Sequence, residues 1–186
     1  MLKTVSSIAI DPGHGGFDSG AVSPGGRYRE KDVNLLLAAE LSACLELSDC
    51  LKPLLLRSED RYMSLAQRVK AAEREKADLY LSLHHNGFAD PAARGSETFY
   101  YPGSEGEKAA RLIQNMIVSW LGIPDRGIKE GRDLYVLKNT TMAAVLVEPL
   151  FLTSPADIEY LEGQDYYTGL AELLEYALVC WAEPTI

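Results

Sequence analysis

Three histidines occur in this chain of 186 residues, and each one closely follows an apolar run. His14 sits in Asp11-Pro12-Gly13-His14-Gly15-Gly16. Glycines on both sides let the backbone turn sharply and leave room around an imidazole. The plain alternative is a glycine-rich turn with an incidental histidine. His84 and His85 end the segment Leu81-Ser82-Leu83-His84-His85-Asn86. Strand alternation sends them to opposite sides, His84 with Ser82 and His85 with Leu83, so at most one joins a given site. For either one, a buried, hydrogen-bonded structural role is the competing reading.

Imidazoles from separate strands can converge on one metal, and neutral imidazole suits zinc. A catalytic zinc commonly takes three protein ligands and keeps one position open. The third ligand should be a carboxylate, because no further histidine and no suitable cysteine is available. Glu30 leads among the acids: it opens a helical stretch just after a glycine-rich loop over residues 20–26. Its competing role is a favourable charge at a helix N-terminus. Glu148 closes the apolar run Ala144-Val145-Leu146-Val147 and precedes Pro149. A carboxylate there is costly to bury without a partner, and the proline restrains its backbone to an extended form. A general base needs such a fixed, shielded carboxylate.

The elements that must hold these residues alternate between strand-like and helix-like segments, the pattern of a layered α/β domain. Strands are predicted over residues 5–11, 51–57, 79–85, 97–101, 133–137 and 143–148. Helices are predicted over residues 31–47, from Ser64 as a cap, over 105–121 with Gly122 as its stop, and over 165–181. Inward faces are expected to carry Val33, Leu37, Leu41 and Cys44 in the first helix. In the third they carry Ala109, Leu112, Ile113, Met116 and Trp120, and in the last Leu170, Leu173, Leu174, Ala177 and Trp181. The polar candidates fall just past strand ends, where open α/β sheets form their sites.

Composition narrows the function classes. A net charge of −9 disfavours nucleic acid and anionic surfaces as partners. No run of apolar residues is long enough for a transmembrane helix. The N-terminus lacks the pattern of a signal peptide, since its short apolar stretch leads straight into motif residues. Cys44, Cys50 and Cys180 form no C-x-x-C pair, so free thiols are expected, buried for Cys44 and Cys180. The length suits one domain over residues 1–186, and we expect a monomer.

Taken in order, these segments resemble the zinc-dependent N-acetylmuramoyl-L-alanine amidases of the amidase 3 group. The matching pieces are IAIDPGHGGFDSGAV, Glu30 before KDVNLLLAAEL, LLRSEDRYMSLAQR, ADLYLSLHHN, RGIK at residues 126–129, YVLKNT and AAVLVEPLFLTSPADIEYL. The resemblance implies a mixed, twisted sheet of about six strands with helices on both faces. It implies one zinc ion per chain held by His14, Glu30 and His84, with Glu148 as the catalytic glutamate. Asn86 also matches and is expected to support the site, while Arg57, Asp60 and Arg68 match structural positions. The implied reaction is hydrolysis of the amide between N-acetylmuramic acid and L-alanine in peptidoglycan, in the cell wall or periplasm. Leu150 departs from the pattern, standing where the family usually has glycine. No connection near the site is long enough for the covering helix that some relatives insert.

Overall fold

The computed structural model describes residues 5–163 and 165–183. Six strands form one sheet in the order β2-β1-β3-β6-β4-β5. They are β1 (Ser6–Pro12), β2 (Leu51–Leu55), β3 (Leu79–Leu83), β4 (Ser96–Tyr100), β5 (Asp125–Glu130) and β6 (Ala143–Glu148). β2, β1, β3 and β6 run parallel. β4 is antiparallel to β6, and β5 follows β4 in parallel. The sheet is mixed, as expected.

Six helices cover it: α1 (Glu30–Glu46), α2 (Leu65–Arg74), α3 (Gly106–Leu121), α4 (Tyr135–Asn139), α5 (Pro155–Leu161) and α6 (Tyr166–Ala182). The central strands are apolar along most of their length because both of their faces are buried. Ile8, Ile10, Leu79, Leu81, Leu83, Val145 and Val147 face α1, α3 and α6, where Leu37, Leu41, Ile113, Leu170 and Leu174 complete the larger core. Ala9, Tyr80, Ala144 and Leu146 face the other way, against Val69 and Ala72 of α2 and Val136 and Leu137 of α4. That second cover is short, since α2 has 10 residues and α4 has five. It leaves the end of this face near the close of β1, β3 and β6 open.

Local signals explain several boundaries. Ser64 caps α2 through a reciprocal capping box with Gln67. Gly122 ends α3 in the left-handed conformation, at φ 64°. β2 and β3 stop at Leu55 and Leu83, two residues short of the expected ends.

Three expectations are corrected. Residues 133–137 are not a strand: Tyr135–Asn139 is a helix that turns Val136 and Leu137 onto the second core, so the apolar spacing there follows the helical period. The sixth strand is instead Asp125–Glu130, an edge strand with little apolar content. Trp120 is not buried but 42% exposed, because the inward stripe of α3 runs through Ala109, Ala110, Ile113, Gln114 and Ile117. Its indole rests on α6 at Gly169, where a Cβ would come within 2.5 Å of the ring. Of the three free cysteines only Cys50 is buried; Cys44 and Cys180 are partly exposed.

Candidate metal and catalytic site

The site grows out of the loop after β1. His14 adopts φ 62°, a left-handed conformation rare for residues other than glycine and costing about 1–2 kcal/mol. Buried basic side chains hold the loop in that shape. Arg68 pairs with Asp11 and donates to the carbonyls of Pro12 and His14. Arg57, fully buried, donates to the carbonyls of Gly13 and Lys31 at 3.2 and 3.1 Å. Asp60 accepts from the Gly16 amide at 2.7 Å and pairs with Lys31 Nζ at 2.6 Å. Asp11 also accepts from Tyr80 and Ser82 of β3. Removing one partner of the buried Arg68–Asp11 pair would cost about 3–5 kcal/mol by stranding the other charge.

His14 brings its ring to Glu30 at the first turn of α1, with Nε2 3.1 Å from Oε2. His84, one residue beyond β3, places Nδ1 2.8 Å from Glu30 Oε1. One ligand atom from each of His14, Glu30 and His84 lies within 4.8 Å of the others. Glu30 is itself fixed by the backbone amides of Ala21, at 2.8 Å, and His85, at 3.1 Å. Burial pushes its carboxyl upward, but the hydrogen bonds and charges of His14 and His84 outweigh this and hold it well below the usual carboxylate range. Two glycines make the approach possible. A Cβ on Gly13 would meet the His84 ring at 2.3 Å, and one on Gly20 would meet Glu30 Oε2 at 2.4 Å.

The neighbouring histidine goes elsewhere. His85 is fully buried; its Nδ1 donates to Asn34 Oδ1 at 2.8 Å, and Nε2 accepts from the Tyr166 hydroxyl at 2.7 Å, an assignment inferred from those partners. Burial pushes its pKa down to about 4, so the ring is neutral near pH 7. The alternation read from β3 therefore extends past the strand end.

Glu148 ends β6 on the same face as His84. Its Oε2 is buried and has no hydrogen-bond partner among the described residues. Burial, then the charges of Glu30 and Glu97, push its carboxyl well above the usual range. Asn86 does not reach the histidines. It donates from Nδ2 to Glu97 Oε1 at 2.8 Å, and Glu97 is the cross-strand partner of Glu148. Leu150 is buried in the larger core, and its carbonyl accepts from the Asn86 amide at 2.8 Å. The departure from glycine thus points away from the open face.

A groove of about 350 Å³ opens beside the cluster, between the starts of α2 and α4. His14, Asp18 and His84 line it together with Tyr62, Leu65, Leu134 and Tyr135. The His14 and His84 side chains keep 24% and 19% of their surface exposed, enough for a molecule in the groove to reach both.

Two further contributors were not singled out from sequence. Asp18 Oδ1 lies 3.0 Å from His14 Nδ1, off the line of a full hydrogen bond but close enough to bias the ring. An acid four residues beyond a candidate ligand was the available signal. Glu97 gave none, because its place beside Glu148 depends on strand pairing.

The family model for N-acetylmuramoyl-L-alanine amidase (Amidase_3) matches residues 8–178. The chain belongs to this family. It is 38% identical over 178 residues to the N-acetylmuramoyl-L-alanine amidase LytC of Bacillus subtilis, covering 94% of this chain but 35% of that relative. It is also 38% identical to the uncharacterized protein YqiI of Bacillus subtilis, over 90% of this chain and 81% of the relative. The catalytic domain of the amidase CwlV from Bacillus (Paenibacillus) polymyxa superposes with a TM-score of 0.90 at 32% identity, covering 95% of this chain and 98% of that one. The chain thus spans about a third of LytC and nearly all of the CwlV catalytic domain.

Proposed function

We propose that this chain hydrolyses the amide joining N-acetylmuramic acid to L-alanine in peptidoglycan, as a zinc enzyme. The observation that carries the reading is the convergence of His14, Glu30 and His84 beside Glu148, a half-buried carboxylate whose shielded Oε2 has no partner among the described residues. Membership of the amidase family supplies the bond to be cut.

The donor set suits the ion. Two imidazoles and one carboxylate form a ligand type found in catalytic zinc sites. Gly13 and Gly20 leave the space in which the three donors close up. Bound there, zinc would supply Lewis acidity toward an amide carbonyl and toward water. The protein does the rest. Glu30, clamped by two backbone amides, fixes one side of the centre. Asp18 biases the His14 ring so that Nε2 faces inward. Glu148 takes a proton from the attacking water and returns it to the departing alanine nitrogen. Its fixed place at the end of β6 favours both transfers. The groove between α2 and α4 admits the polymer without an inserted covering helix, so activity is expected without an activator.

Metal analysis and a muropeptide digest on one purified sample test this. One zinc per chain, and release of intact stem peptide from muramic acid detected by mass spectrometry, are the expected results. Cleavage within the stem, or loss of acetyl groups instead, would indicate a peptidase or deacetylase. A metal-free chain that retains full activity would overturn the zinc reading.

A further inference from the structure

The sheet sets its polar residues in a row. Neighbouring strands lie about 4.8 Å apart, and the order β1-β3-β6-β4-β5 carries the row from His14 and His84, past Glu148, to Glu97. Beyond Glu97 come Arg126 and Lys129 of β5. Glu97 is buried, yet it receives both cations on one oxygen: Arg126 Nε and Lys129 Nζ each lie 2.6 Å from Oε2. One carboxylate therefore balances two positive charges, and Glu97 stays ionised because hydrogen bonds from Lys129 and Arg126 outweigh its burial. Both cations are held against this one acid, in a chain whose net charge is −9.

Arg126 is also aimed. Its guanidinium lies 4.8 Å above the Phe151 ring centre, and Nε holds it to Glu97. Among the described residues neither terminal nitrogen has a protein partner. A guanidinium fixed at one edge, with its fork free, is preorganised for a second carboxylate. The Arg126 and Lys129 side chains keep 37% and 39% of their surface exposed. The opposite end of the row is aromatic: Phe17 stacks on Tyr62 with ring centres 4.2 Å apart, and Tyr135 lines the same groove. Aromatic faces suit neutral sugar rings, and cations suit acidic peptide, so the two ends fit the two arms of one substrate.

We propose that Arg126 and Lys129 form an anionic subsite that receives a carboxylate of the peptide stem. The stem then leaves the metal centre across β6 and β4 toward β5, while the glycan lies toward Phe17 and Tyr62. This rests on the amidase reading above. The cations meet Glu97 over β4, two strand spacings or about 10 Å from β3, which an extended peptide spans in about three residues. A carboxylate paired with the free fork of Arg126 loses its charge on amidation, so the subsite distinguishes a free from an amidated stem carboxylate.

The test compares pairs of muropeptides that differ only in a free or amidated stem carboxylate, one pair for each acidic stem position. The wild-type chain should favour the free acid at one position by about tenfold or more in kcat/KM, mainly through KM. In Arg126→Gln and Lys129→Gln that ratio should fall toward one while zinc content holds. Arg126→Lys, which keeps the charge and loses the fork, should fall between. Equal rates on both forms in the wild type, or a preference that survives in both neutralised variants, would overturn the subsite. If Arg126→Gln unfolds, Lys129→Gln and the wild-type ratio still decide. If no substrate is cleaved, the amidase reading fails by itself; calorimetric binding of detached stem peptides then decides the subsite, with tighter binding of the acid supporting it and equal binding removing it.

Discussion

The two ends of the open edge treat a carboxylate differently. At the β1–β3 end, both oxygens of Glu30 are engaged, by two imidazoles and two backbone amides. At the β6 end, Glu148 keeps a buried oxygen without a partner. The first arrangement suits a fixed ligand, and the second suits a group whose contacts must change during a reaction. Residue type does not separate these roles, since both are glutamates. Their surroundings do.

The sharpest way to break the comparison is to neutralise each acid in turn. Glu148→Gln should lower turnover by about 10²–10⁴-fold while leaving metal content and melting temperature near wild type. Glu30→Gln should lose metal as well as rate, because a neutral amide is a poorer zinc ligand than a carboxylate. Metal content and rate measured side by side decide it; a Glu148→Gln chain that sheds metal as readily as Glu30→Gln would merge the two roles.

A smaller effect is expected at the edge of the ligand end. Asp18→Asn keeps the size of the group beside His14 but removes its charge. Metal affinity should weaken by about 10-fold, the low end for an outer-shell partner, as read by competition with a chelator. Unchanged affinity would mean that the backbone strain at His14 alone orients the ring.

His85 sharpens the contrast from the core side. His85→Phe removes hydrogen bonds to Asn34 and Tyr166 without touching the proposed ligands. Stability should fall by about 1–3 kcal/mol in denaturant unfolding, with metal content kept. Loss of metal at equal stability would make His85 part of the centre.

The smallest effect belongs to Asn86. Asn86→Ala takes one donor from Glu97, which keeps Arg126 and Lys129. A loss of about 1 kcal/mol should lower the melting temperature by about 2–4 °C. A collapse of activity without that modest shift would place Asn86 closer to the chemistry than its contacts do.

The candidates at the ligand end carried local signals in the sequence, while their selection as one set came from the family resemblance. His14 lies between glycines, Glu30 opens a helix, and His84 continues the alternation of an apolar strand. The β4–β5 end could not be read in that way. Glu97 meets Glu148 only through antiparallel pairing, and β5 spells Asp-Arg-Gly-Ile-Lys-Glu, which has the composition of a loop. An edge strand buries little, so hydrophobic alternation fades there. The same weakness drew a strand onto residues 133–137, where the apolar residues belong to a short helix.

The free thiols carry a last consequence. Cys44 and Cys50 pack with the larger core, on the opposite face of the sheet from the groove, and neither groups with the candidate ligands. Imidazole and carboxylate donors offer no thiolate for peroxide to attack, unlike cysteine-ligated centres. The sulfur that lines the groove is that of Met63, 7% exposed. An oxidant should therefore modify the protein's sulfur atoms in preference to His14, Glu30 and His84, the proposed ligands.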